Sequence, residues 1–269
     1  MEDITIQKIL VALLLTLVAG MSTGVGSLMA FLSKKTDKRF LSWALGLSAG
    51  VMVYVSFMEI LPDSFHRMSQ VLSGKWSDMA VLGCFFAGIG LIAMIDYLIP
   101  EDENPHEPVL VEAMDAQKSA SGLHRTAMML ALAIGIHNFP EGIATFISGL
   151  EGLEVALPIV IAIAIHNIPE GIAVAVPIYH ATGDRRKAFK WSIISGLAEP
   201  VGALFAALFI MPFWTPLVSA SLMAAVAGIM VYISFDELLP GSERYGHLHL
   251  AIIGVIGGMF IMAVSLLFL

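Results

Sequence analysis

The segment His137-Asn138-Phe139-Pro140-Glu141-Gly142 returns almost letter for letter as His166-Asn167-Ile168-Pro169-Glu170-Gly171. Each copy is embedded in a run of apolar residues long enough to cross a bilayer as a helix. An imidazole or carboxylate at membrane depth is costly and is retained where it faces a partner, a cavity or an ion path. The two copies therefore read as polar clusters on membrane spans that share one site.

The rest of the chain agrees. It is 58% hydrophobic and only 13% charged, outside the range of soluble domains. Eight apolar stretches, near 5–32, 41–61, 79–99, 125–149, 155–179, 188–210, 217–239 and 250–269, reach the ~20 residues a helix needs to span hydrocarbon. None alternates as the strands of a membrane barrel would. The sequence predicts an all-α membrane protein of eight transmembrane helices, a single domain over 1–269. The first stretch is preceded by Glu2 and Asp3 instead of a basic segment, so it reads as a span and not as a cleaved signal. The lone Cys84 excludes an intrachain disulfide and reads as a small packing residue. A formal charge of −8 carries no basic footprint for nucleic acid.

Lysine and arginine set the orientation. Alternate loops hold Lys34, Lys35, Lys38, Arg39, Lys118, Arg125, Arg185, Arg186, Lys187, Lys190 and Arg244, against Lys8, Arg67 and Lys75 on the other side, eleven to three. The first set is expected in the cytoplasm, and both termini outside it. The long polar loop is 100–124, with Glu101, Asp102, Glu103, His106, Glu107, Glu112, Asp115 and His124. It reads as a mobile cytoplasmic linker.

A second repeat is less obvious. Residues 49–62, Ala-Gly-Val-Met-Val-Tyr-Val-Ser-Phe-Met-Glu-Ile-Leu-Pro, match 227–240, Ala-Gly-Ile-Met-Val-Tyr-Ile-Ser-Phe-Asp-Glu-Leu-Leu-Pro. These lie on the second and seventh spans, which must run in opposite directions. An inverted repeat of this kind is common in carriers with a site at the midplane. The first and sixth spans match more weakly, with Gly20, Thr23 and Gly26 opposite Gly196, Glu199 and Gly202. The expected arrangement is 3+2+3, with the paired motifs on the two central spans.

Residues four apart share a helix face. His137 is thus predicted to project with Glu141, and His166 with Glu170; Asn138 and Asn167 stand about 100° round. Pro140 and Pro169 cannot donate to the carbonyls of Ile136 and Ile165. Gly142 and Gly171 permit close helix approach. On the sixth span Glu199 is again followed by a proline, at similar depth. Two imidazoles, two carboxamides and three carboxylates exceed what one ion needs, and suit two metals bridged by Glu141 and Glu170. Protons can hold the empty cluster and leave when metal arrives. Nitrogen and oxygen donors without thiolate favour Zn, Fe(II), Mn and Co over Cu(I). Glu59, Asp236 and Glu237 lie near span ends, where packing and a pathway role are equally open. Asp96, Met52 and Met230 read as structural.

The paired His-Asn-x-Pro-Glu-Gly motifs, Glu199 in Gly-Leu-Ala-Glu-Pro and the basic turn Thr182-Gly183-Asp184-Arg185-Arg186 closely resemble the ZIP (Zrt/Irt-like) family over essentially the whole chain. The resemblance implies eight spans and uptake of divalent metal into the cytoplasm across a bacterial inner membrane, chiefly zinc, with iron(II), manganese and cobalt also carried. It implies Glu141, His166 and Glu170 in one metal site. Asn138, Glu141, Asn167, Glu170 and Glu199 would form the adjacent one, and His137 matches a metal-binding position of relatives. Where this chain has His166-Asn167, some relatives have Gln-Asp. The resemblance further implies a homodimer in which spans one, four, five and six move against two, three, seven and eight.

No prosthetic group is expected, only Zn2+ and Fe2+ as transported ions, and the expected partners are those ions and the lipid bilayer. A membrane metallohydrolase would need an open coordination position and a substrate cleft. The chain has no His-Glu-x-x-His element, so an enzyme is not expected. A passive channel differs from a carrier in kinetics that sequence does not specify. A metal-sensing receptor would need a soluble output domain.

Overall fold

The computed structural model describes residues 5–32, 38–98 and 120–268. Every element among them is helical, as backbone in hydrocarbon must be unless a barrel closes. The helices are α1 (Ile6–Leu32), α2 (Lys38–Val55), α3 (Leu61–Ser69), α4 (Lys75–Leu98), α5 (Ala120–Glu151), α6 (Leu153–Thr182), α7 (Arg185–Gly196), α8 (Ala198–Phe205), α9 (Pro216–Ile233), α10 (Leu239–Arg244) and α11 (Leu248–Phe268). Seven helical runs among the described residues are long and apolar enough to span. The expected fourth span, 125–149, coincides with α5, a continuous helix of 32 residues. Large apolar side chains such as Leu14, Phe86, Leu208 and Phe260 stand exposed on the outside, as lipid permits and water does not. The chain is a multi-pass membrane protein. Most of loop 100–124 lies outside the described residues, and α5 already begins at Ala120.

Four features differ from simple spans, one of them a π-helical turn at Ala206–Ile210 ahead of Pro212. The sixth stretch is broken at Leu197 between α7 and α8. Pro200 has no N–H for the carbonyl of Gly196, four residues back, and its ring crowds that carbonyl. The second and seventh spans each contain a π-helical turn, Ser56–Ile60 and Ser234–Leu238, at matching places in the repeat. Pro62 and Pro240 likewise cannot bond the carbonyls four residues back. The residue before each proline reaches five back instead, Leu61 N–H to the Ser56 carbonyl and Leu239 N–H to that of Ser234. Such bulges concentrate at functional sites. The helices continue beyond, so Glu59, Asp236 and Glu237 sit inside bulged helical runs and not at their ends.

Glycine contacts divide the helices into two groups. In one, α1, α5, α6, α7 and α8 touch backbone to backbone. Gly26 faces the Ile168 carbonyl, Gly171 that of Thr23, Gly142 that of Glu199, Gly202 that of Phe139, and Gly20 and Gly196 face each other. In the other, Gly46 and Gly50 of α2 meet Ala251 and Val255 of α11, Gly88 and Gly228 lock α4 to α9, and α3, which continues α2 beyond its π turn, packs on α4 and α9 and joins the two pairs. An added Cβ at any of these glycines would collide with a carbonyl oxygen. Among the described residues no such contact crosses from one group to the other. The groups meet where α2 packs on α6 and α9 on α5. We call them the motif bundle and the flanking bundle.

Candidate metal centre

A single residue, Gly152, joins α5 to α6, with φ 136 in a region open to glycine. This tight hairpin fixes depth. At 1.5 Å per residue Glu141, His166 and Glu170 lie about 16, 21 and 27 Å from the turn. His166 therefore falls between the two glutamates. Its Nε2 is 3.1 Å from Glu141 Oε2 and 3.8 Å from Glu170 Oε1. The shorter of the two is a hydrogen bond between the His166 ring and Glu141.

The asparagines hold the cluster to its neighbours. Asn138 Nδ2 donates to the Ser195 carbonyl at 3.4 Å, and Asn167 Nδ2 to that of Ala19 at 2.9 Å. Asn167 Nδ2 also donates to Glu199 Oε1. Glu199 reaches the cluster because the break at Leu197 places it in the first turn of α8, where the helix dipole favours a carboxylate. Gly142 and Gly171 give the close approaches that the sequence predicts, against Glu199 and Thr23 respectively. Ser192 Oγ ties this corner together by donating to the Thr23 carbonyl at 3.0 Å.

Of the seven sequence-selected residues, Glu141, His166 and Glu170 meet side chain to side chain, as do Asn167 and Glu199; these five and Asn138 are each at most 2% exposed. The seventh, His137, belongs to α5, but its side chain lies outside the described residues. Glu141 Oε1, Asn167 Oδ1 and Glu199 Oε2 are buried with no hydrogen-bond partner. A buried oxygen without a donor costs about 1–3 kcal/mol, and three around one cluster are what a cation would satisfy. The donors are nevertheless turned toward each other. Among the described residues no three His, Cys, Asp or Glu side chains stand ready as a ligand set. Loading an ion would exchange the His166–Glu141 and Asn167–Glu199 hydrogen bonds for coordination.

Sequence reasoning passed over Thr23 and Thr145 as site neighbours. Thr145 is four residues beyond Glu141, on the same face and toward the Gly152 turn. Both threonines are fully buried, and neither Oγ1 has a hydrogen-bond partner. Their signal was position: Thr23 is the counterpart of Glu199 in the weak repeat. Met52 and Met230 are core residues at 0% and 1% exposure. Asp96 stands 3.5 Å from the Tyr232 hydroxyl.

Interlocked helices around a buried cluster of nitrogen and oxygen donors define an ion-handling membrane protein. A family model described as ZIP Zinc transporter matches residues 98–266. The chain is 54% identical over 269 residues to the zinc transporter ZupT of Akkermansia muciniphila, covering 98% of this chain and 100% of that one. It is 56% identical over 261 residues to the zinc transporter ZupT of Streptococcus mutans, covering 97% and 98%. With that of Clostridium perfringens it shares 50% over 275 residues, covering 97% and 96%. The chain belongs to the ZIP zinc transporter family.

Proposed function

We propose that the protein carries divalent metal, zinc foremost and iron(II), manganese and cobalt as further cargo, into the cytoplasm across a bacterial inner membrane. The carrying observation is the meeting of His166, Glu141 and Glu170 on two antiparallel spans, with Glu199 tied in through Asn167. Intramembrane donors of this kind bind a cation that water would otherwise hold. The relatives named as zinc transporters support zinc as the cargo.

In this reading Glu141 and Glu170 bridge two ions. His166 serves one, Asn138, Asn167 and Glu199 serve the other, and His137 stands beside them. The excess of oxygen donors over one ion's needs supports two. Both termini lie outside the cytoplasm, and the loop 100–124 is a cytoplasmic linker. No enzymatic step is assigned.

The 3+2+3 inverted repeat belongs to this proposal and is supported by paired contacts. Gly26 on Ile168 answers Gly202 on Phe139, Gly171 on Thr23 answers Gly142 on Glu199, and α2 on α11 answers α9 on α4. A homodimer, with the flanking bundle as its fixed part, completes the reading.

The test is zinc uptake into proteoliposomes, wild type beside Glu141→Ala/Glu170→Ala, with a pH dye inside. Saturable uptake lost in the double variant is expected, and the dye reports proton exchange. Absence of flux for zinc, iron(II), manganese and cobalt in folded wild-type protein overturns the proposal.

A further inference from the structure

At the outer end of the molecule the two bundles are joined by charge. Glu151, the last residue of α5 in the motif bundle, lies beyond the fourth span. Its Oε2 is 2.8 Å from an Arg67 guanidinium nitrogen of α3, and its Oε1 accepts from Ser219 Oγ of α9 at 2.7 Å. Both partners belong to the flanking bundle. Arg67 is itself oriented by its neighbour one turn back, Nε donating to Asp63 Oδ2 at 2.6 Å. The Glu151 side chain is 8% exposed and that of Arg67 24%. This is a largely dehydrated pair, unlike the exposed surface pairs that contribute little.

The location gives the pair its meaning. Glycine backbone contacts tie the motif bundle together and, in the flanking bundle, pair α2 with α11 and α4 with α9; none of those described crosses between the bundles. A shift of one bundle against the other would run along this boundary. The Glu151 triad is a polar clasp across that boundary, outward of Thr145 and the metal centre. We propose that Arg67, Glu151 and Ser219 form an outer clasp that closes the path to the metal centre, and that it parts when the centre opens to the outside.

The chemistry makes the clasp depend on Arg67. Burial pushes the Glu151 carboxyl up to about 7, against the opposing pull of Arg67 and Ser219, with Asp63 adding to the rise. Among the described residues, Arg67 and Asp63 of α3 are the charged groups that act on it; α1, α6 and α9 add none. Arg67 pulls the carboxyl down, so without it the closed form must hold either a buried charge with no cation or a proton that becomes costlier to keep as pH rises, and both drive it apart. Below about pH 7 the carboxyl is neutral and tolerates burial. The sign follows. A carboxyl that binds its proton more tightly when clasped than when exposed favours the clasped form as pH falls through about 7.

The test uses full-length protein in proteoliposomes, with Cys84→Ser to remove the native thiol and Thr145→Cys as a buried reporter, labelled from outside by a membrane-impermeant thiol reagent. Arg67→Gln is expected to speed labelling about five- to tenfold at pH 8 and much less at pH 6. Adding Glu151→Gln to Arg67→Gln should return the rate close to that of the parent, because the stranded charge is gone. Equal labelling of parent and Arg67→Gln at pH 8 overturns the clasp. So does fast labelling of Arg67→Gln that Glu151→Gln fails to rescue. If Arg67→Gln does not fold, the charge exchange Arg67→Glu/Glu151→Arg decides: parent-like labelling supports the clasp and fast labelling overturns it. The inference rests on the transport reading, but labelling requires no metal flux. A clasp that responds in a protein without uptake would therefore overturn transport alone.

Discussion

Asn138 and Asn167 hold the same position in the two motif copies. Each donates to the carbonyl of the residue before a glycine, Ser195 before Gly196 in one case and Ala19 before Gly20 in the other. There the likeness ends. Asn167 also binds Glu199, whereas Thr23, the residue that stands to α1 as Glu199 stands to α8, keeps a buried hydroxyl with no hydrogen-bond partner. Near-identical motifs are thus made unequal by what packs beside them. One side of the centre gains a carboxylate and the other a hydroxyl, so the binding face is charged asymmetrically.

The sharpest way to break this comparison is to remove the charges that both copies share. Glu170→Ala and Glu141→Ala should each lower zinc uptake about a hundredfold or more, equivalent to roughly 3 kcal/mol. Expression and membrane insertion should be intact, with flux measured beside protein quantity. Equal transport by Glu170→Ala would remove the metal centre from the argument. Next in size is the change that makes the two sides alike. Glu199→Thr should weaken zinc binding about tenfold and lower the number of ions bound from two toward one, as read by equilibrium dialysis. Unchanged stoichiometry would show that Glu199 orients Asn167 without serving an ion.

The glycines sharpen the comparison through stability. Gly142→Ala and Gly171→Ala place a methyl group against the carbonyls of Glu199 and Thr23, and each should destabilise by about 1–3 kcal/mol. Gly83→Ala, with open space at its Cβ, should leave the unfolding temperature in detergent unchanged or slightly raised. Asn167→Ala should reduce uptake, because it releases the Glu199 carboxyl as well as the Ala19 carbonyl. The smallest effect expected is for deletion of 103–119, which should leave uptake at saturating metal close to wild type.

Much of the site was legible because membrane burial makes polar residues conspicuous. Two six-residue copies and Glu-Pro in a third span named six side chains that the structure buries, with His166 between Glu141 and Glu170 and Asn167 on Glu199. The repeat of 49–62 in 227–240 pointed to matched helices. It did not disclose that each bends through a π turn, because a proline's effect on hydrogen bonds depends on whether the chain breaks, as at Leu197, or widens, as at Leu61 and Leu239. Thr145 drew no attention because a threonine is unremarkable in a membrane span until its surroundings are known.

Sequence by itself determined that this chain crosses a membrane as helices, and named the side chains proposed to carry an ion. Apolar length and the cost of buried charge act locally and leave few alternatives. Tertiary structure alone decided how those side chains are shared. The one-residue turn at Gly152 sets His166 between two glutamates, and the break at Leu197 lets Glu199 reach Asn167. Contact between Arg67 and Glu151, 84 positions apart in the chain, exists only once two bundles pack. Hydrogen bonds and ion pairs act over a few ångströms, so their partners are fixed by packing and not by proximity in sequence.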